Sequence, residues 1–251
     1  MKQLFLLFAV LLMVCSCSDE ILNEDNHQAI LGTSNVAFSF DSITSNGNWK
    51  SYSIQQKFDA CQIPDSLLSK LTTKELVEIC ASHPLNPICN AYNNPMDGAR
   101  YIMRNFSGFK ELQKREDAAE KLLDFYESID FFKVSSSPYP ITIIGENGRL
   151  FRNSNIVFIE LVLASGELAS LYNTINCDRL ERISYSKFEQ KLDKCTVYGI
   201  TDICNSLMIQ SQIALKSNRV SSNDRNQIQH FYNNCGRNTD LNIITKILFN
   251  Q

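Results

Sequence analysis

The chain has 251 residues, with 24 Lys and Arg against 27 Asp and Glu and a net charge of −3. That balance excludes the basic face a nucleic-acid binder needs to neutralise phosphates. With 44% hydrophobic and 20% charged residues it carries ample material for a packed core, and its composition is not that of a disordered polymer.

Met1 to Ser16 has the parts of a signal peptide. Lys2 supplies the positive start, and Leu4 to Val14 is an uncharged apolar run. That run is shorter than the roughly 20 residues a membrane span requires, so a cleaved leader is expected. Val14-Cys15-Ser16-Cys17 resembles a bacterial lipobox, in which a cysteine is acylated and becomes the mature N-terminus. The small Ser16 before Cys17 fits that pattern better than the bulky Val14 before Cys15, so Cys17 is the expected lipidation site. The acidic Ser18-Asp19-Glu20 resembles the export signal of surface lipoproteins in Bacteroides-type bacteria. Together these resemblances imply an outer-membrane lipoprotein exposed at the cell surface, with the periplasmic face of that membrane as the alternative. Its partner is then the membrane itself, through acyl chains that each gain about 0.8 kcal/mol per buried CH₂.

Residues 17–50, rich in Asn, Ser, Asp and Thr, read as the lipidated N-terminus and a polar tether. Val36, Phe38 and Phe40 alternate within it as in one short strand. Asp41-Ser42-Ile43 resembles the Asp-Ser/Thr-apolar O-glycosylation site of such bacteria, which makes Ser42 a candidate. Asp65-Ser66-Leu67 has the same form, but there Ser66 reads better as a helix cap.

Residues 51–134 read as an N-terminal helical domain. Thr72-Thr73-Lys74-Glu75 is a capping box, with Leu76, Val77, Ile79 and Cys80 on one face behind it, and Pro84 and Pro87 break the pattern. Asn94-Pro95 opens the next helix with an N-cap and a first-turn proline. From Asn105 to Ile129, Gly108 marks a junction and Ala118, Leu122, Phe125, Tyr126 and Ile129 form an apolar stripe. Asp117 and Lys121 stand four apart, in the favourable order for an ion pair.

The Ser/Pro-rich stretch 135–150 is the best candidate for a linker or hairpin. A C-terminal helical region follows over 151–251, either separate from the first or packed with it as one domain. Asn155 to Ala164 is apolar almost all round and predicts a central buried helix. Ser186-Lys187-Phe188-Glu189 reads as a second capping box. Helices at about 200–217, 222–234 and 239–249 complete the chain, with Gly236 suited to a C-terminal cap. The fold class is all-α, an irregular multi-helix bundle with a short β-like insert or hairpin.

Beyond Cys17 there are seven cysteines. An exported chain meets oxidising conditions, and the equal spacing of Cys80 to Cys89 and Cys195 to Cys204 makes these two pairs the candidate disulfides. The odd count leaves at least one thiol free or paired between molecules. The same two cysteine pairs carry a faint echo between Val77–Tyr92 and the segment from Leu192 onward, including a shared Ile-Cys-Asn triplet.

ACQIPDSLLSKLTTKELVEIC from Ala60, the Pro84-Leu85 step, AYNNPMDGARYIMRNFSGFKEL and REDAAEKLLDFY resemble an uncharacterised family of exported helical proteins and lipoproteins of gut-type bacteria. The resemblance covers roughly a quarter of the chain. It implies a helical exported domain and brings no activity or cofactor.

No catalytic signature stands out. The only histidines are His27, His83 and His230. Cys80 and His83 are three apart but lack an orienting third group. Cys80, His83 and Cys89, with His230 or Cys235, lack the tight ligand spacing of zinc sites. Glu111, Glu116, Asp117 and Glu120 are interleaved with cations, as on a solvated helix face. No catalytic residue, cofactor or metal is assigned. The reading is a lipid-anchored helical binding protein with a protein or glycan partner. The alternatives are an outer-membrane-anchored hydrolase of unfamiliar type acting on glycans, and a disulfide-held structural subunit of an envelope assembly.

Overall fold

A computed structural model describes residues 38–133, 142–144, 150–195, 197–217, 220–237 and 239–249. The leader, Cys17, Ser18-Asp19-Glu20, His27, Val36 and the Gly145–Gly148 turn lie outside the described residues. The helices in chain order are α1 (Asp41–Thr44), α2 (Ile54–Ala60), α3 (Asp65–Leu68), α4 (Thr73–Ala81), α5 (Pro95–Asn105), α6 (Ser107–Leu112), α7 (Ala118–Ser128), α8 (Asn153–Ser165), α9 (Thr174–Asp193), α10 (Ile200–Ser217), α11 (Ser222–Asn233) and α12 (Leu241–Phe249). Short 3-10 turns occupy Trp49–Ser51, Asn86–Ala91 and Ala169–Tyr172. Backbone of β1 (Thr142–Ile144) pairs antiparallel with β2 (Leu150–Arg152), Ile143 opposite Phe151. The protein is mostly helical.

Local chemistry sets the helix starts. The Thr72 hydroxyl accepts from the Glu75 amide at 3.2 Å, while the Glu75 carboxylate accepts from the Thr72 amide at 2.8 Å. Asn94 caps α5 by accepting from the Met96 amide at 2.9 Å. A further capping box, Ser53 with Gln56, starts α2. At the other end of α4, the buried Asn86 donates to the carbonyls of Cys80 and Ala81 at 3.0 and 3.1 Å, closing two acceptors that the helix leaves open.

Three local expectations fail, each for a visible reason, and a fourth, the cap at Gly236, is met in part. Ser186 does not cap a helix, because α9 runs unbroken through it from an N-cap at Asn173, whose side chain accepts from the Asn176 amide at 2.9 Å. Ser66 does not cap α3; Pro64 stands at the N-cap and makes no side-chain cap bond. Asp117 does not pair with Lys121. Its carboxylate accepts from the Thr73 hydroxyl at 2.7 Å, and Lys121 turns to Glu120 and Asp124. The left-handed cap of α11 falls on Cys235 (φ 48°), not only on Gly236 (φ 75°). Gly236 then donates to the Phe231 carbonyl at 3.0 Å and Cys235 to the Tyr232 carbonyl at 3.2 Å, the two bonds of a Schellman close. Glycine is needed at 236 for space as well, since a Cβ there would lie 2.8 Å from the Cys204 sulfur.

The core centres on α8, whose residues Ile156–Ser165 are all buried. It packs against α4, α5, α10 and the Asn86–Ala91 turn, while α9 and α11 lie against α10, and α7 against α4 and α9. Close helix approach uses one glycine: a Cβ on Gly98 of α5 would fall 2.6 Å from the Cys89 Cα. Phe40, placed by the sequence in the tether, is buried at 7% exposure in this same core, so the packed body begins before residue 50.

Phe40 covers His83, which is fully buried with Phe58 and Phe106 on its other sides, the last at 4.3 Å between ring centroids. Nδ1 accepts from the Leu85 amide at 3.3 Å, so the neutral ring carries its proton on Nε2, which has no partner. Burial pushes this imidazole down to about 3 from the ordinary 6.5. In acid the unfolded chain therefore takes up a proton that the folded chain refuses, and stability falls as pH drops below 6.5 toward 3. The expected loss is about 1.4 kcal/mol per pH unit once well below the unfolded pKa. His83→Phe should flatten the fall in melting temperature between about pH 7 and pH 5, although the orphaned Leu85 amide will cost about 1–3 kcal/mol at every pH. An unchanged slope in the variant would show that His83 does not govern acid stability.

Candidate functional site

Two groups of polar side chains stand out, one sealed in the core and one open at the surface. The sealed group forms because α8 carries a single charged residue, Glu160, in an otherwise apolar stretch. A carboxylate there is costly unless every oxygen is engaged. Glu160 Oε2 accepts from Lys191 Nζ of α9 at 2.5 Å. Oε1 accepts from the Tyr126 hydroxyl of α7 at 2.6 Å and the Ser206 hydroxyl of α10 at 2.8 Å. Four helices thus each contribute one group, and Glu160, Lys191 and Ser206 are 0% exposed.

Lys191 is equally well satisfied. Beyond Glu160 it donates to the Asp202 carbonyl at 2.8 Å, and its ammonium lies 4.6 Å from the Phe131 ring centroid. One turn earlier on α9, the buried Lys187 donates to the carbonyls of Glu127 and Ile129, capping the end of α7. Burial holds its amine down to about 8. Tyr198 donates to the Phe131 carbonyl at 3.0 Å and closes the same side. The Tyr126 hydroxyl is pushed well above the usual phenol range, first by burial and then by the adjacent Glu160 charge. A carboxylate, an amine and two hydroxyls within hydrogen-bond reach resemble a catalytic constellation, yet each is committed to another and none meets solvent. The arrangement cross-links helices.

The open group lies between α11 and α12. Asn223, Asn226, Gln227 and His230 recur at helical spacing on one face of α11, opposite Thr239, Asp240, Ile243 and Ile244. They line a solvent-open cleft of about 320 Å³. Ser221 caps α11 by accepting from the Asp224 amide at 3.2 Å. Asp240 caps α12, its Oδ1 accepting from the Asn242 amide at 2.9 Å. Ile228 and Ile244 are buried and anchor the two helices. The side chains of Asn223, Asn226 and Gln227 make no hydrogen bond among the described residues, whereas His230 stacks its ring edge near Asn234 Nδ2 at 3.3 Å.

The candidates named from sequence are scattered. Ser42 is exposed on α1. Cys80, Cys89, Cys195 and Cys204 are all free thiols, against the two bridges expected. Cys80 faces the position of Gly108, whereas Cys89 packs on Gly98 and Cys204 on Gly236, so each thiol of a proposed pair meets different neighbours. The repeated Ile-Cys-Asn triplet lies in a 3-10 turn at Cys89 but within α10 at Cys204, so the echo does not mark equivalent local structure. No cluster of His, Cys, Asp and Glu suited to a metal occurs among the described residues. Glu111 pairs with Lys114 and Arg115, and Glu120 with Lys121, on solvated faces. Among the described residues no helix is long and apolar enough to cross a membrane.

Sequence reading missed both groups. Glu160 carried a usable signal, a lone charge in an apolar helix. Lys187 and Lys191 carried another, lying in the buried register of α9 with Leu180, Ile183, Ser184 and Phe188. The chain matches no family model, no curated protein and no solved structure.

If the sealed group is a cross-link, removing one partner strands the other. Glu160→Gln or Lys191→Met alone should each cost about 3–5 kcal/mol in denaturant unfolding, while Glu160→Leu with Lys191→Met should recover most of that loss. Additive losses in the double variant would show that the two groups act independently.

Proposed function

We propose that the chain is a lipid-anchored binding protein, held at the outer membrane through Cys17 and displayed at the cell surface. The observation that carries this reading is how the polar chemistry is divided. In the core, the groups able to transfer protons, Glu160, Lys191 and Tyr126, are engaged with one another and fully buried. Asn223, Asn226 and Gln227, whose side chains make no hydrogen bond among the described residues, line the open cleft between α11 and α12 with His230 and Asp240. That division suits recognition rather than turnover. Glu160 could serve a hydrolase only if substrate reached it through the helices packed around it. A disulfide-held assembly finds no support in thiols that are free.

The leader carries the address. Ser16-Cys17 followed by Ser18-Asp19-Glu20 supports acylation and outward display, and acyl chains can serve as the anchor where no helix among the described residues is long and apolar enough to span. The natural chain and Cys17→Ala, treated with protease on intact cells, separate the possibilities. Surface display predicts digestion of the membrane-bound natural chain and loss of the mutant from the membrane fraction. Protection until the outer membrane is opened would reject outward display, and membrane retention of Cys17→Ala would reject the lipid anchor.

A further inference from the structure

We propose that the cleft between α11 and α12 binds a neutral polyhydroxylated ligand, a saccharide of one or two rings. This rests on reading the chain as a binding protein and names the chemistry of what is bound.

The argument begins with the hydrogen-bonding repertoire of the walls. A carboxamide presents one acceptor oxygen and two N–H donors, and a sugar hydroxyl presents one donor and two lone pairs. Each of Asn223, Asn226 and Gln227 can therefore engage hydroxyls in both directions at once. Their spacing of three, four and seven residues with His230 aligns them along a single helix face. On the facing wall, Asp240 uses Oδ1 to hold the start of α12, and no bond among the described residues engages its Oδ2. A carboxylate oxygen accepts only, which suits a hydroxyl donor. Ile243, 45% exposed, supplies an apolar surface for the C–H face of a pyranose ring.

Charge narrows the class. Among the described residues no Lys or Arg lines the cleft, so a phosphate or carboxylate ligand would meet the Asp240 charge without a cation among them to offset it. One carboxylate is a thin basis for holding a polycation. An apolar ligand would bury three amides without partners, which is unfavourable. A neutral ligand dense in hydroxyls is the class that satisfies every wall. The volume, about 320 Å³, falls at the small end of ligand pockets, which span roughly 300–1,000 Å³.

The test is a nitrogen-15 NMR titration of the full mature chain without its lipid. The probes are glucose, galactose, N-acetylglucosamine and their β-linked disaccharides, with inorganic phosphate as the anionic control. The expected result is a saturable shift of amides in α11 and at residues 239–244 with at least one saccharide and none with phosphate. Asn226→Ala with Gln227→Ala changes only surface-facing side chains, and unchanged circular dichroism will show that the fold is kept. That variant should weaken the binding at least tenfold. Asp240→Asn, which keeps a capping oxygen, should weaken it while leaving α12 intact. No shift with any saccharide, a shift with phosphate alone, or saccharide binding indifferent to both variants would overturn the proposal. Surface display without saccharide binding would sink this inference and leave the lipoprotein reading standing. Saccharide binding by a protein protected in intact cells would do the reverse.

Discussion

The structure is organised around one carboxylate in the wrong solvent. Glu160 lies within a run of α8, Ile156–Ser165, that is buried throughout, and its charge is tolerable only because Lys191, Tyr126 and Ser206 converge on it. Those partners come from α7, α9 and α10, so meeting the demands of one side chain fixes the relative placement of four helices. Apolar packing alone permits many sliding arrangements of helices, whereas a buried ion pair with all its lone pairs and protons engaged permits few. We read the pair as a device of specificity more than of net stability, because desolvation offsets much of the attraction between buried charges.

Satellite contacts extend the same logic outward. Lys187 and Tyr198 tie the exit of α7 to α9 and the following loop. Arg115 donates to the carbonyls of Leu68 and Leu71 and fastens the turn before α4. The Gln62 side chain accepts from the Ser107 amide and the Ser107 hydroxyl accepts from the Ile63 amide, joining the end of α2 to the start of α6. In each case a long polar side chain reaches a helix terminus whose backbone groups would otherwise lack partners. The Glu160 centre is thereby closed, while four other buried side-chain atoms among the described residues, His83 Nε2 among them, are left without a partner.

Much of the local structure was legible in the sequence. Thr72-Glu75 and Asn94-Pro95 announced their helices because capping acts over three or four residues, and the run at 156–164, apolar but for Glu160, announced the central helix. Non-local relations were not legible. Lys191 finds Glu160 across 31 residues and Asp117 finds Thr73 across 44, and nothing in a linear window fixes such pairings. Ser186 misled because its four-residue pattern matches a cap, yet the preceding stretch from Thr174 offers no Gly or Pro to stop a helix. Cysteine spacing misled in a similar way: equal intervals along the chain placed Cys89 and Cys204 in unlike elements. The surface cleft escaped notice because Asn223, Asn226 and Gln227, read one by one, are what any solvated helix face carries.

The central claim is that the Glu160–Lys191 centre is closed to solvent, and amine acylation of the native protein tests it most directly. Burial, not basicity, must protect these amines, since Lys187 is held down to about 8 and would otherwise be among the more reactive lysines. Peptide mass spectrometry after brief treatment with a small acylating reagent should find Lys114, 73% exposed, modified and Lys191 untouched until the chain is unfolded. Modification of Lys191 in the native protein at the rate of Lys114 would show an open centre and contradict the account.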